Sequence, residues 1–136
     1  MIKQIAVSVT GQGLWSITEQ VAQVVASTVS GDGLATLFIQ HTSASLLIQE
    51  SYDPSAKRDL EAWLNRLVPE RDPLYTHTLE GADDMPAHIK SALTATSLSI
   101  PIIDGQLALG SWQGIYLWEH RHGSCQRRVI IHLAKA

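Results

Sequence analysis

The spacing of apolar residues along the chain alternates between a period typical of strands and one typical of helices. Apolar and polar residues alternate over positions 2–10, as expected for a half-buried strand. The valines that follow recur at helical spacing until the turn sequence SGDG at 30–33. Ser16 and Glu19 stand three residues apart before these valines and predict a capping box. The amino-terminal part is therefore predicted to be a strand followed by a helix.

A second helix is predicted from its start and stop signals. Asp53 is suited to the N-cap and Pro54 to the first helical position, and the helix should end before Pro69. Its predicted apolar face comprises Ala56, Leu60, Trp63, Leu64 and Leu67. This spacing is the clearest helical pattern in the chain.

A third, shorter helix should follow the polar and irregular segment 70–84. Asp83 or Asp84 is expected at its amino-terminal end, where a carboxylate can satisfy free amide donors and meet the positive end of the helix dipole. Ile89 and Leu93 are expected on its buried side. The segment before it is long enough to be a functional loop.

The remaining patterns are β-rich, with short apolar runs bounded by turn residues. Together they predict one α+β domain over residues 1–136, with about seven strands and three helices. After the first strand, the predicted strands are 34–41, 45–49, 97–103, one or more within 107–121, and 127–134.

Composition narrows the functional classes. Ten basic residues against 13 acidic ones leave no positively charged footprint, so a nucleic-acid partner is not expected. No apolar run approaches the length of roughly 18 residues that a membrane-spanning helix needs, so no membrane partner is expected. Cys125 is the only cysteine, which excludes a disulfide framework within the chain and favours a reducing, cytoplasmic location.

Four of the six histidines lie in polar segments and are candidate metal ligands: His41, His77, His88 and His120. Imidazole is the commonest protein ligand for metals, so we expect His88, His41 and at least one of the other two to converge on a divalent cation. Zinc, or magnesium or manganese, is the expected ion. The alternative is that the histidines are separate half-buried polar groups, since none has the spacing of a recognised metal motif.

The segment DDMPAHIK places two carboxylates at a helix start and His88 about one turn later. One carboxylate is expected to cap the helix. The other, for which we favour Asp84, is then free to bind a cation or to orient His88. The alternative for His88 is a surface position without a function.

In the segment WQGIYLWEHR, strand alternation places Glu119 and Arg121 on one face and His120 on the other. One interpretation is a salt bridge between Glu119 and Arg121 at the rim, which contributes little if exposed. The other is a carboxylate and a guanidinium at a pocket mouth, with Arg121 binding phosphate. If Glu119 and His120 both function, their opposite directions favour a site shared between subunits.

Four segments together carry a resemblance to a known family: HTSASL at 41–46, EGADDMPAHIKS at 80–91, SLSIPI at 97–102 and GSWQGIYLWEHR at 110–121. They resemble the YjbQ family of small proteins, which is associated with a secondary thiamine-phosphate synthase activity. The resemblance implies a sheet-rich α+β fold with two packed sheets, a trimer, and a pocket near the subunit boundaries. The tryptophans and strands of 97–134 also favour a homo-oligomer.

A phosphate-binding role is expected for Thr42, Ser43, Lys90 and Arg121. The residues alone slightly favour a plain strand-to-turn transition at Thr42 and Ser43, whose hydroxyls would then serve the local backbone. The resemblance favours phosphate binding instead. Lys90 and Arg121 would hold further phosphate oxygens.

Two functions of different classes follow. The first is a metal-dependent transferase acting on a small phosphorylated molecule, with weak thiamine-phosphate synthase activity and with Asp84 and Glu119 as its catalytic carboxylates. The second is a non-catalytic trimer that binds a divalent metal or a small ligand. Two free cations are few for a diphosphate substrate, which favours a weak activity if there is one.

Overall fold

The computed structural model describes residues 1–136 and contains three helices and eight strands, which confirms the α+β prediction. The helices are α1 (Thr18–Thr28), α2 (Pro54–Leu67) and α3 (Asp84–Leu93). The strands are β1 (Ile2–Val9), β2 (Gly13–Ser16), β3 (Gly33–Ile39), β4 (Ala44–Glu50), β5 (Ser97–Ile103), β6 (Gln106–Leu107), β7 (Gln113–Glu119) and β8 (Cys125–Lys135). No helix is both long and apolar enough to cross a membrane.

The strands form two sheets, with the order β1-β8-β3-β5-β6 in one and β2-β7-β4 in the other, and all named pairs are antiparallel. Alternation puts Ile5, Val7 and Val9 of β1 inward, as the sequence predicts. These residues join Ile115 and Leu117 of the second sheet in one apolar core that also receives α1. The inner faces of the two sheets are thus held together mainly by hydrophobic burial.

The predicted capping box at α1 is wrong. The residue before the helix is Ile17, and no side chain caps the helix start. Thr18 instead accepts a hydrogen bond at Oγ1 from the backbone N–H of Ile115 at 2.9 Å, and the N–H of Ile17 donates to the carbonyl of Ile115. The first turn is therefore anchored to β7, a tertiary contact that replaces the local cap.

The start of α2 agrees with the prediction, because Pro54 is its first residue and Asp53 accepts a hydrogen bond from the Ser55 N–H at 2.9 Å. Its predicted apolar face is only partly buried. Leu64 is 3% exposed and packs in a second, smaller core on the other face of β7, whereas Trp63 is 53% exposed.

The predicted buried side of α3 is only partly correct. Ile89 is half-buried and packs against the smaller core, but Leu93 is 59% exposed, whereas Ala87, Lys90 and Ser91 are buried. The Ser91 hydroxyl donates to the carbonyl of Ala44 at 3.1 Å, so α3 packs on β4 through small and polar residues. This orientation places the polar start of α3 beside the first residues of β4 and the segment before it, where the candidate site lies.

Candidate metal centre

The first turn of α3 and the loop before it bring three potential ligands together. Asp84 and His88 are four residues apart on one side of the helix, and His77 comes from the preceding loop. Asp84 Oδ2 lies 2.6 Å from His77 Nε2 and 3.0 Å from His88 Nε2. One ligand atom of each residue lies within 4.8 Å of the others. We call these three residues the His/Asp cluster.

The hydrogen bonds of His88 show that its two ring nitrogens differ. Its Nδ1 lies 2.9 Å from the carbonyl oxygen of Thr42, which can only accept, so Nδ1 carries a hydrogen. In a neutral ring Nε2 then presents a lone pair to the Asp84 carboxylate at 3.0 Å, and the two acceptors repel. A hydrogen on Nε2, or a cation between the two groups, would remove this repulsion. A carbonyl on the far nitrogen is also the usual partner of a metal-bound histidine.

The other oxygen of Asp84 is held by Arg121, whose Nη1 lies 2.8 Å from Oδ1. Burial alone raises the pKa of Asp84. The hydrogen bond from His77 and the electrostatic interactions with His88 and Arg121 outweigh that effect and hold this pKa below its ordinary value. Asp84 is therefore an ionised carboxylate in a fixed orientation.

The donor set suits a divalent transition metal. Two imidazole nitrogens and one carboxylate are ligands for zinc, iron or manganese, and three protein ligands leave positions for water or substrate. A cavity of about 380 Å³ adjoins the cluster and is lined by His77, Arg71, Tyr75 and Met85, among others. Arg71 is an exposed cation that the sequence prediction missed, because nothing in the polar segment 70–84 distinguishes it.

Arg121 and Lys90, the two predicted phosphate-binding cations, are engaged elsewhere. The Arg121 guanidinium contacts both Asp83 and Asp84 and donates to the carbonyl of Glu80 at 2.8 Å. Lys90 is 3% exposed and its Nζ donates to Asn65 Oδ1 at 2.6 Å, and burial lowers its pKa. The structure therefore assigns Arg121 to orienting Asp84 and leaves Lys90 outside the His/Asp cluster.

Glu119, a predicted catalytic carboxylate, is completely buried between the two sheets. Nε and Nη2 of Arg127 each donate to it at 2.6 Å, and this bidentate contact raises the pKa of Arg127. The predicted side-chain salt bridge with Arg121 is wrong, because Arg121 contributes only its backbone N–H to Glu119. Arg127 was missed, although alternation with Val129 and Ile131 in β8 places it on the buried face and could have identified it.

The predicted site residues in the segment after β3 bind several different partners. His41 Nε2 accepts from the backbone N–H of Arg128 at 3.0 Å, and Ser43 Oγ accepts from Arg127 Nη2 at 2.9 Å. Thr42 provides its carbonyl to His88. His41 therefore does not lie with His77 and His88, contrary to the expectation that these histidines converge on one site.

His120 does not join the cluster either. It points to the opposite face of β7 from Glu119, as strand alternation predicts, and is 1% exposed. Its Nε2 lies 2.9 Å from Ser45 Oγ, and its Nδ1 has no partner. Burial first, then the charges of Lys90 and Arg127, lower the pKa of His120 to about 3. It is a buried neutral imidazole.

This low pKa predicts acid sensitivity. The unfolded chain binds a proton at His120 near the ordinary value of 6.5, but the folded chain does so only near 3. The stability from the neutral ring is therefore present above about pH 6.5 and is lost as the pH falls towards 3. At about 1.4 kcal/mol per pH unit, the titration of His120 should lower the free energy of unfolding by about 2 kcal/mol between pH 7 and pH 5.

Urea unfolding at both pH values checks this effect. His120→Gln should reduce the pH dependence, while His132→Gln, which changes an exposed histidine of β8, should leave it unchanged. Equal pH dependence in wild type and His120→Gln would contradict the assignment.

Comparison with known proteins shows what this chain resembles. A family model described as "UPF0047 protein YjbQ-like" matches residues 3–136. A UPF0047 protein of Synechocystis sp. is 48% identical over 96% of this chain and 88% of its own length. The UPF0047 protein YjbQ of Escherichia coli O157:H7 is 41% identical over 94% of this chain and 93% of its own.

Solved structures agree with these relatives. The conserved hypothetical protein TT1486 from Thermus thermophilus superposes with a TM-score of 0.86 at 34% identity, covering 96% of this chain and 98% of that one. A YbjQ-like protein of unknown function from Sulfolobus solfataricus reaches a TM-score of 0.87 at 20% identity, over 100% and 99% of the two chains, and shows the fold alone. The sequence and structural matches together establish that this chain belongs to the UPF0047 protein YjbQ-like family.

Proposed function

We propose that this protein binds one divalent transition-metal ion at the His/Asp cluster and acts there on a small phosphorylated molecule. The observation that carries the proposal is the environment of His88, which donates to the Thr42 carbonyl through one nitrogen and faces the ionised Asp84 carboxylate with the other. With a neutral His88 ring this contact is repulsive, and a cation between His88 and Asp84 would replace it with two favourable bonds. Zinc is the first candidate.

The adjoining cavity provides the place for the substrate. Its volume of about 380 Å³ suits a small molecule, and Arg71 on its wall offers a guanidinium to a phosphate group. A divalent ion would neutralise charge that develops on departing phosphate oxygens. Arg121 would keep Asp84, one of the ion's ligands, in a fixed orientation.

The reaction class we favour is the transfer implied by the family resemblance. A pyrimidine diphosphate would be attacked by the nitrogen of a thiazole phosphate, so that a C–N bond forms, the C–O bond to the diphosphate breaks, and pyrophosphate leaves. The metal ion and Arg71 are the groups available to bind that leaving group. We place this activity in the cytoplasm, a reducing compartment that suits a chain whose only cysteine is Cys125.

One observation favours the alternative of a non-catalytic metal- or ligand-binding protein. Arg121 and Lys90 are bound to side chains of the protein itself, so one free guanidinium, that of Arg71, lines the cavity beside the cluster. A single side-chain cation gives weak stabilisation to a diphosphate. Any transferase activity should therefore be slow.

The test combines metal analysis with an activity assay. Protein purified without chelators should contain about one metal ion per chain and should form thiamine phosphate slowly from the two precursors. His88→Ala should lose both properties, while His132→Ala should keep both. Full metal content without turnover would establish the non-catalytic alternative, and absence of metal from wild type reloaded with zinc would contradict both functions.

We also propose that the chain forms a homo-trimer. In β3, Ala35 and Leu37 are fully buried on the inner side, while Leu34 and Phe38 on the outer side are 41% and 48% exposed. Ile103 of neighbouring β5 is 57% exposed. Apolar side chains on the outer face of the five-stranded sheet support an interface between copies.

Light scattering tests this assembly. Wild type should have three times the mass of the chain, and Phe38→Glu should shift it towards monomer because it buries a charge in the interface. Trp63→Glu changes an exposed aromatic residue of α2 and serves as the control. A monomeric wild type at micromolar concentration would contradict the proposal.

A further inference from the structure

The guanidinium of Arg127 has one nitrogen without an acceptor. Its Nε and Nη2 both bind Glu119, and Nη2 also donates to Ser43 Oγ at 2.9 Å. The remaining nitrogen, Nη1, has His41 Nδ1 as its neighbour at 3.4 Å. Whether Nη1 has a hydrogen-bond acceptor within the protein therefore depends on which nitrogen of His41 carries the hydrogen.

The second nitrogen of His41 decides this point. His41 Nε2 accepts from the backbone N–H of Arg128 at 3.0 Å, so Nε2 presents a lone pair and no hydrogen. Burial and the nearby charge of Arg127 lower the pKa of His41, which keeps the ring neutral. A neutral ring with a lone pair at Nε2 carries its hydrogen at Nδ1. Nη1 of Arg127 and Nδ1 of His41 are thus two donors facing one region, and neither can accept from the other.

These donors belong to residues that line one cavity of about 650 Å³. Thr42 and Thr96 line it as well, and both bring a hydroxyl group. Arg127 is only 9% exposed, and its ion pair with Glu119 holds its position. Donors that converge without an acceptor, beside a fixed positive charge, are the arrangement that binds an oxyanion.

We propose that this cavity is an anion-binding site in which Arg127 Nη1 and His41 Nδ1 donate to one oxyanion, the phosphate or carboxylate group of a small molecule. The site needs no metal. It lies next to the His/Asp cluster in space, because Thr42 lines the cavity and its carbonyl accepts from His88. The predicted anion-binding role of the segment 41–43 is therefore retained, with Arg127 in place of Arg121 as its cation.

Calorimetric titration with inorganic phosphate, and separately with acetate, tests this site. Both are carried out on the full chain after its metal has been removed with a chelator and the chelator has been dialysed away, so that binding to a metal ion is excluded and the metal proposal is not tested at the same time. His41→Phe removes one donor, and phosphate affinity should fall by about tenfold or more, the loss typical of a hydrogen bond to a charged group. Arg128→Gln removes one positive charge next to Arg127 and should change the affinity less than twofold.

A paired variant separates loss of the site from loss of the fold. Glu119→Gln combined with Arg127→Met removes both members of the buried ion pair without changing the net charge, and it should abolish phosphate binding while circular dichroism stays as in wild type. Binding of acetate in place of phosphate would support the site and identify its ligand as a carboxylate. The proposal would be overturned if neither phosphate nor acetate binds to wild type. It would also be overturned if Arg128→Gln and His41→Phe lose the same affinity for phosphate.

Discussion

Replacement of Asp84 by asparagine is expected to weaken binding of a divalent ion by about 100-fold or more, since residues that merely orient metal ligands already contribute 10- to 100-fold. Asparagine keeps the size of the side chain but removes the negative charge that faces His77 and His88. The Arg121 guanidinium then lies beside a neutral amide and repels the ion. Competition titration of zinc against a chromogenic chelator measures the change.

Asp83→Asn is the matched control for this prediction. It removes the same charge one residue away and also affects Arg121, but Asp83 contacts Arg121 and the backbone N–H of His122 and neither imidazole of the cluster. Its zinc affinity should stay within a few-fold of wild type. If Asp83→Asn and Asp84→Asn lose the same affinity, the ion is held by the general negative charge of the segment and not by the His/Asp cluster.

Glu119→Gln is expected to lower the free energy of unfolding by about 3–5 kcal/mol, the usual cost of removing one partner from a buried ion pair. Glu119 is completely buried, and Arg127 is held by it through two nitrogens. The substitution keeps the shape of the side chain but leaves the Arg127 charge between the sheets without compensation. Urea unfolding measured by tryptophan fluorescence gives the change.

A second substitution, Arg127→Met, tests whether the stability loss of Glu119→Gln comes from the unpaired charge of Arg127. Added to Glu119→Gln, it should recover most of the lost stability, because an uncharged pair in this position has no desolvation cost to offset. Two single variants whose losses simply add in the double variant would show that the buried charges do not act as a pair.

Local patterns predicted most of the strands and both faces of β7. The alternation that separates Glu119 from His120 is confirmed, because a strand between two others must send successive side chains to opposite sides. The pairing of Glu119 with Arg127 was not predicted. This contact depends on how the two sheets face each other. The local spacing of apolar residues carries no information about which residues of two sheets meet.

Helix α3 shows the same division between local and tertiary information. Its position and its acidic start were predicted, but no carboxylate caps it through a side-chain hydrogen bond. Its buried side was predicted only in part, because Ile89 packs against the smaller core while Leu93 stays exposed and Lys90 and Ser91 face the fold. The interactions that rotate the helix are the hydrogen bonds of Ser91 to β4 and of Lys90 to Asn65 in α2. Hydrophobic periodicity does not report such polar contacts.

The histidines were harder to assign. His77 and His88 meet because an irregular loop folds back on α3, whereas His41 and His120 each bind a different neighbour. All four lie in polar segments of similar composition, so the sequence could not distinguish between them. Only the four-residue spacing of Asp84 and His88 on one helix face was a usable local signal.

The central claim is that a divalent ion is held by the His/Asp cluster, and anomalous diffraction at the zinc edge from crystals grown with zinc tests it most directly. The account predicts one strong anomalous peak per chain, about 2.0–2.2 Å from His77 Nε2, His88 Nε2 and a carboxylate oxygen of Asp84. It also predicts that His88 Nδ1 keeps its hydrogen bond to the Thr42 carbonyl. A cluster without a peak, in which Asp84 Oδ2 still lies at hydrogen-bond distance from both imidazoles, would contradict it.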